Sequence, residues 1–292
     1  MFALLIAVVF STSRPSSLHL ASGYALYTPN APVAKCCDSM AQFVSDPKFL
    51  AAHFTPKKPN NIQLTGHKVT FSAAIGGPAH GYFIPGSKGN PVAIMMFHEF
   101  WGLNKNIEQT AQKLHDLTGY EVILPDLYDG KVTSNPTKAG ELMAQNNQQR
   151  SAAIIVGAFH ALENGQFGKK PAQIGTVGYC FGGGWSERAA IIGSQLVQAC
   201  VVYYGMPDIR PASLARLKAP VMMFQGLQDQ WITQKVVDRF KAAMKKAHRQ
   251  LQVFAYDAPH AFANPSNPHY DASGAADALR KELAFFKKQF RR

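Results

Sequence analysis

Three side chains of this sequence are of types that carry out acyl transfer: Cys180 in VGYCFGGGWS (177–186), Asp229 in QGLQDQW (225–231) and His260 in DAPHAF (257–262). A thiolate attacks an acyl carbon. An imidazole takes the thiol proton and later returns one to the leaving group, and a carboxylate behind it fixes its tautomer and stabilises the imidazolium. Cys180 stands where a predicted strand must turn sharply into a helix, and Gly178 and Gly182 permit the close backbone approach such a turn needs. This is the G-x-S-x-G elbow with sulfur in place of the serine hydroxyl, set at a helix N-terminus that favours an anion. Plain structural alternatives exist for each residue. Cys180 could be a small buried hydrophobe, Asp229 a turn residue or the cap of a helix starting near Thr233, and His260 an ordinary loop histidine. The order nucleophile, acid, histidine, with each residue just after a predicted strand, favours the joint reading.

The elements that must position them follow from hydrophobic periodicity. Two alternating runs, IQLTGHKVTFSA (62–73) and AHGYFIPG (79–86), read as an antiparallel pair. After them, strands at 91–99, 120–128, 174–179, 198–205, 219–226 and 251–256 are separated by helical stretches. One of these follows residue 99, and others lie at about 137–163, 183–192, 233–248 and 271–290. Strands 198–205 and 219–226 carry no predicted helix between them. Continuous apolar runs such as PVAIMMFHE (91–99) are those of strands buried on both faces, so the fold class is α/β: a mostly parallel central sheet with helices on both faces. Ligands gather at the carboxyl ends of such strands, where Glu99, Cys180, Asp229 and His260 all fall.

Composition narrows the class further. The 292 residues are 47% hydrophobic, enough for one substantial core. The formal charge of +12 is concentrated on helix-like surface segments such as RFKAAMKKAHR (239–249), with no nucleic-acid-binding module around them, so a solvated basic face is expected and no nucleic-acid partner. Four cysteines are too few for a disulfide scaffold, and Cys36 and Cys37 are adjacent, so no metal-type spacing arises. HEFWG (98–102) starts like a zincin motif but has Gly102 where the second histidine belongs, so no metal and no cofactor are expected. The opening MFALLIAVVF is too short to span a membrane; with residues 1–25 it reads as a possible export signal, which favours an exported or periplasmic location over a cytoplasmic one. Residues 26–60 read as an irregular N-terminal arm without assigned chemistry, 61–292 as the one catalytic domain, and Cys200 as core; a monomer is expected.

Five ordered motifs, HEFWGLN (98–104), PDLYDG (125–130), GYCFGGG (178–184), QGLQD (225–229) and PHAFANP (259–265), resemble the dienelactone hydrolase family over residues 65–290. The resemblance implies the α/β-hydrolase fold, a cysteine nucleophile and a glutamate, here Glu99, beside the thiol. A carboxylate there opposes thiolate formation, so Glu99 would gate the thiol until substrate displaces it; the plain alternative is a structural partner of a nearby amide. The same analogy assigns the oxyanion donors to the backbone N–H groups of Phe181 and Phe100, with Trp101 walling an apolar pocket. The sequence departs from the family at the positions that hold a substrate carboxylate. Gly130 followed by Lys131, then Ala261 and Asn264, replace arginines and a serine. Only Lys131 supplies a charge, and a flexible ammonium does not reproduce an arginine fork. The expectation is therefore hydrolysis of a small ester or lactone through a cysteine-bound acyl intermediate. Alternatives are another acyl bond, such as a thioester or larger ester, or a non-catalytic binding or redox-responsive protein on the same scaffold.

Overall fold

The computed structural model describes residues 40–59 and 61–290; the expected signal segment 1–25, Cys36 and Cys37 lie outside them. One eight-stranded sheet organises the chain in the order β1-β2-β4-β3-β5-β6-β7-β8. Strands β1 (His67–Ser72) and β2 (Pro78–Ile84) are antiparallel, and β2 also runs antiparallel to β4 (Glu121–Pro125). From β4 onward the neighbours β3 (Val92–Phe97), β5 (Gln173–Tyr179), β6 (Val197–Tyr203), β7 (Val221–Gly226) and β8 (Leu251–Tyr256) are all parallel. A mostly parallel sheet with an antiparallel pair at its start is what the sequence implies; the strand order and the β2–β4 pairing come from the structure. Every residue of β3 and β7 is buried, as their unbroken apolar runs require.

Between the strands lie α2 (Lys105–Thr118), α3 (Pro136–Ala144), α4 (Gln148–Glu163), α5 (Phe181–Gly193), α6 (Pro211–Arg216), α7 (Gln234–Lys246) and, after β8, α8 (Ala272–Gln289). The period of two along β6 shows both faces covered. Cys200 faces α5, against the Ser186 hydroxyl, whereas Tyr203, three residues on, turns the other way and donates to Glu282 of α8. Cys200 is core, as its place in a central strand implies. The basic helix α7 buries Val237, Phe240 and Met244 and turns its lysines outward, so its charge is a solvated face. No helix among the described residues is long and apolar enough to cross a membrane.

Four elements differ from the sequence reading, the first being the short helix α1 (Pro47–Ala52) in the arm expected to be irregular. The first strand begins at His67 and not near Ile62, because the Thr65 N–H donates to the Gln112 side chain of α2 and so has no place in a ladder. The helix expected over 137–163 is two, because the Asn147 side chain accepts from the N–H groups of Gln149 and Arg150 and caps a new start. The six-residue α6, opened by Pro211, lies between β6 and β7, where only a loop was expected.

The crossing of β5 and α5 is the tightest place in the fold. A Cβ on Gly178 would lie 2.0 Å from the Gly182 carbonyl oxygen, and one on Gly182 would lie 2.4 Å from that of Phe97. Both obstacles are backbone, which cannot rotate aside. Gly182→Ala is expected to cost about 2–3 kcal/mol or more and lower the thermal midpoint by at least about 5 °C, measured by circular dichroism melting. An unchanged midpoint would show that the crossing can relax.

Candidate active site

The turn from β5 into α5 holds Cys180 at φ 55°, ψ −120°, a conformation that costs a non-glycine residue about 1–3 kcal/mol. Its N–H is bonded to the Tyr203 carbonyl at 3.0 Å, tying the elbow to the end of β6. The sulfur is buried beneath neighbouring side chains. Across from it, in the loop after β8, stands His260. Its Nδ1 lies 2.6 Å from Asp229 Oδ2, in the loop after β7, while Asp229 Oδ1 accepts the N–H groups of Trp231 and Ile232 at 2.9 Å each. With Nδ1–H given to the carboxylate, Nε2 is left to face the thiol, and the sulfur lies within 4.8 Å of a His260 ring nitrogen. Burial alone would lower the imidazole, but Asp229 and the cysteine sulfur outweigh it and push His260 well above its ordinary value. For Asp229, burial works upward and is outweighed by His260 and the two N–H donors, so its carboxyl is held low. The three residues picked from the sequence thus converge, with the polarity that thiol activation needs.

Glu99, at the end of β3, shares a cavity with the thiol, and one of its oxygens accepts the Asn264 amide. Its other oxygen and the hydroxyl of Tyr204 are both buried without a regular hydrogen bond, yet the hydroxyl is close enough to favour the carboxylate. Burial dominates and pushes Glu99 up to about 7, against the opposing pull of His260, Asn264 and Tyr204. His98 points elsewhere and holds backbone: Nδ1–H donates to the Glu99 carbonyl at 2.7 Å and Nε2 accepts the Leu127 N–H at 3.2 Å.

Phe181 is the first residue of α5, so its N–H has no acceptor within the helix. Phe100 lies in the turn after β3, closed by Gly102 N–H on the Glu99 carbonyl. Phe100 and Trp101 line the thiol cavity, of about 280 Å³, together with Ala261 and Asn264, and Trp101 also lines an adjoining cavity of about 370 Å³. The side chains of Phe181 and Lys131 go elsewhere. Phe181 stacks on His98 and lines a separate cavity with Trp185 and Met206. The backbone of Lys131 packs on Gly102, but the residue lines a depression with Asp129 and Arg150 and not the thiol cavity; the Asp126 carboxylate, which accepts the Tyr128 and Gly130 N–H groups, shapes the turn before it. The sequence expectation of Lys131 in the substrate pocket is corrected accordingly.

Two residues of the site have no role in the sequence reading. Tyr204, at φ 39°, directly follows β6 and packs edge-on to His260 at 5.1 Å; the strand-end rule that picked Cys180 points to it equally. His53 comes from the arm, at the end of the short helix α1 (Pro47–Ala52). Its Nδ1–H donates to the Phe49 carbonyl at 2.6 Å, and its ring packs against Phe100 at 4.4 Å and His260 at 5.2 Å. Burial and then the neighbouring His260 lower it to about 3, so it is a neutral imidazole whose buried Nε2 is an acceptor. A single histidine in an arm without regular periodicity carries no motif signal.

The model of the dienelactone hydrolase family matches residues 81–290. Protein usf of Aquifex pyrophilus is 30% identical over 217 residues, covering 71% of this chain and 92% of that one. An Aquifex aeolicus protein provisionally named carboxymethylenebutenolidase is 30% identical over 206 residues, 67% of this chain and 87% of its own. Among solved structures, one from Klebsiella pneumoniae provisionally described as a dienelactone hydrolase superposes with a TM-score of 0.65 at 22% identity, over 76% of this chain and 99% of that one; at that identity the likeness shows the fold.

A carboxyl whose pKa is raised in the folded state binds its proton more tightly there. The stability Glu99 contributes as a neutral acid is present below the unfolded value, near 4.5, and is lost as pH rises through about 7. The wild-type thermal midpoint, followed from pH 5 to 8, is expected to fall relative to that of Glu99→Gln; parallel curves would show that Glu99 titrates normally.

Proposed function

We propose that this chain, which belongs to the dienelactone hydrolase family, cleaves a small ester or lactone with Cys180 as nucleophile, His260 as base and Asp229 as the carboxylate behind it. It is a carboxylic ester hydrolase of that family; the thiol mechanism and the substrate are the reading put forward here. The observation that carries it is the alignment of a thiol on a strained elbow with a histidine whose far nitrogen is held 2.6 Å from a buried carboxylate.

In this reading Cys180 passes its proton to His260 Nε2 as sulfur bonds to the acyl carbon. The carbonyl oxygen takes the negative charge and accepts the N–H groups of Phe181 and Phe100. Collapse of the adduct breaks the carbon–oxygen bond, and His260 gives its proton to the leaving alcohol oxygen. Water then attacks the thioester, its proton going to His260, and the acid leaves as the proton returns to sulfur. Asp229 stabilises the imidazolium in both halves. Glu99 acts as gate: substrate entering the shared cavity must part the carboxylate from Asn264 before it reaches the thiol.

The cavity argues for substrate class. Phe100, Trp101 and Ala261 give it an apolar wall, and its polar groups are Glu99, Asn264, Ser266, Asn267 and His53, none of them a lysine or arginine. A substrate carboxylate would find no cationic partner there, which favours a neutral ester or lactone over dienelactone itself.

Hydrolysis of small aryl esters and lactones, neutral and carboxylated, is the test. Wild type is expected to turn over the neutral members with higher kcat/KM. Cys180→Ala, checked for fold by circular dichroism, should lose at least about a thousandfold. Retained turnover in the folded variant would remove the thiol from the reaction, and a preference for carboxylated esters would overturn the substrate assignment.

A further inference from the structure

The arm brings a third soft ligand to the thiol. Sγ of Cys180 and a ring nitrogen of each of His53 and His260 all lie within 4.8 Å of one another, and all three residues are buried. The Nε2 atoms of both histidines are buried and have no regular hydrogen-bond partner. Each ring is fixed through its other nitrogen, His53 by the Phe49 carbonyl and His260 by the Asp229 carboxylate. That is how metal-binding histidines are held: a carbonyl or carboxylate on one nitrogen sets the tautomer and aims the other nitrogen's lone pair.

From this geometry we propose that Cys180, His53 and His260 form a binding site for a thiophilic divalent cation, zinc above all, whose occupation reversibly blocks the enzyme. The HEFWG segment supplies none of the three ligands. Zinc holds thiolate sulfur at about 2.3 Å and imidazole nitrogen at about 2.0–2.1 Å, which sets tetrahedral ligand atoms about 3.5 Å apart. From at most 4.8 Å the three atoms therefore need to close by up to about 1.3 Å, within reach of side-chain rotations. The set is also selective, because one sulfur and two imidazoles suit zinc and not magnesium or calcium, which take oxygen. The fourth position is left to water from the cavity.

Binding releases one proton. Whether the pair rests as thiol and imidazole or as thiolate and imidazolium, it carries one proton more than the zinc-bound form, and that proton goes to solvent. No oxidation is involved, and a chelator reverses the step. Zinc takes the sulfur lone pair and the His260 lone pair together, so neither is available to substrate. This consequence for activity rests on the function proposed above; binding itself does not. His53 gives the arm a purpose beyond packing, since a metal held by it would join the segment around α1 to the elbow and to the loop after β8.

The test uses the full chain and Co²⁺ as a coloured probe, with zinc affinity measured by competition. Wild type is expected to bind one cobalt with tetrahedral visible bands and a sulfur-to-cobalt charge-transfer band, the latter lost in Cys180→Ser, which leaves Cys36, Cys37 and Cys200 in place. His53→Phe, which keeps an aromatic ring against Phe49, Phe100 and Trp231, should weaken zinc binding at least about tenfold; His53→Asn should do the same. Ester hydrolysis, scaled to each variant's own metal-free rate, should need correspondingly more zinc for half inhibition. Equal zinc affinity in wild type and both folded His53 variants overturns the site, as does cobalt bound without the thiolate band. Hydrolysis that depends on Cys180 yet ignores zinc overturns the site and leaves the hydrolase reading standing. A protein that cleaves no ester but binds cobalt through Cys180 and His53 does the reverse.

Discussion

Everything at the site hangs on one backbone crossing. The first turn of α5 is pressed so closely on β3 and β5 that the atoms facing Gly178 and Gly182 are carbonyl oxygens, and the same closeness continues where Gly183 meets Gly205 at the end of β6. With those contacts on either side, Cys180, the residue between strand and helix, sits at φ 55°. The cost of about 1–3 kcal/mol is small beside a core that buries every residue of β3 and β7. Sheet packing thus holds the sulfur at the mouth of the sheet, at a helix N-terminus. Two more residues with positive φ, Tyr204 and Ala261, stand around it, so strain gathers where the chemistry is placed.

Around this fixed point the electrostatics divide the charged groups into two kinds. Asp229, with two N–H donors and His260, stays ionised despite burial, and in doing so raises His260. Glu99 has one amide and a nearby hydroxyl, and burial wins, so it titrates near neutrality. The two carboxyls differ in the hydrogen-bond donors their surroundings supply. His53 is the opposite case among the histidines, held neutral because burial, and after it the nearby His260, outweigh the Phe49 carbonyl and Asp229, which favour its charged form. A thiol between a basic and a neutral imidazole can give its proton to one and share a metal with both.

Much of this was legible in the sequence, for physical reasons. Buried parallel strands need unbroken apolar runs, so β3 and β7 stand out, and a sharp strand-to-helix turn needs glycine, so the elbow does too. Cys180, Asp229 and His260 were found because they end strands. Tyr204 directly follows β6 in the same way, but its residue type carries no acyl-transfer signal. Part of what the sequence hid depends on segments far apart in the chain: the Gln112 bond that cuts β1 short and the arm that delivers His53. The rest is local but carries no periodic signal: the Asn147 cap that divides a helix and the Asp126 turn before Lys131.

The central claim is that the acyl group passes through the Cys180 sulfur. Its most direct measurement is acid-quenched mass spectrometry of the protein mixed with a small activated ester, with the adduct located by peptide mapping. The account predicts one acyl group on Cys180, formed in a burst before steady turnover and persisting longer where deacylation is slow. Turnover with no adduct on Cys180, or an adduct formed at catalytic rate on another residue, would contradict it.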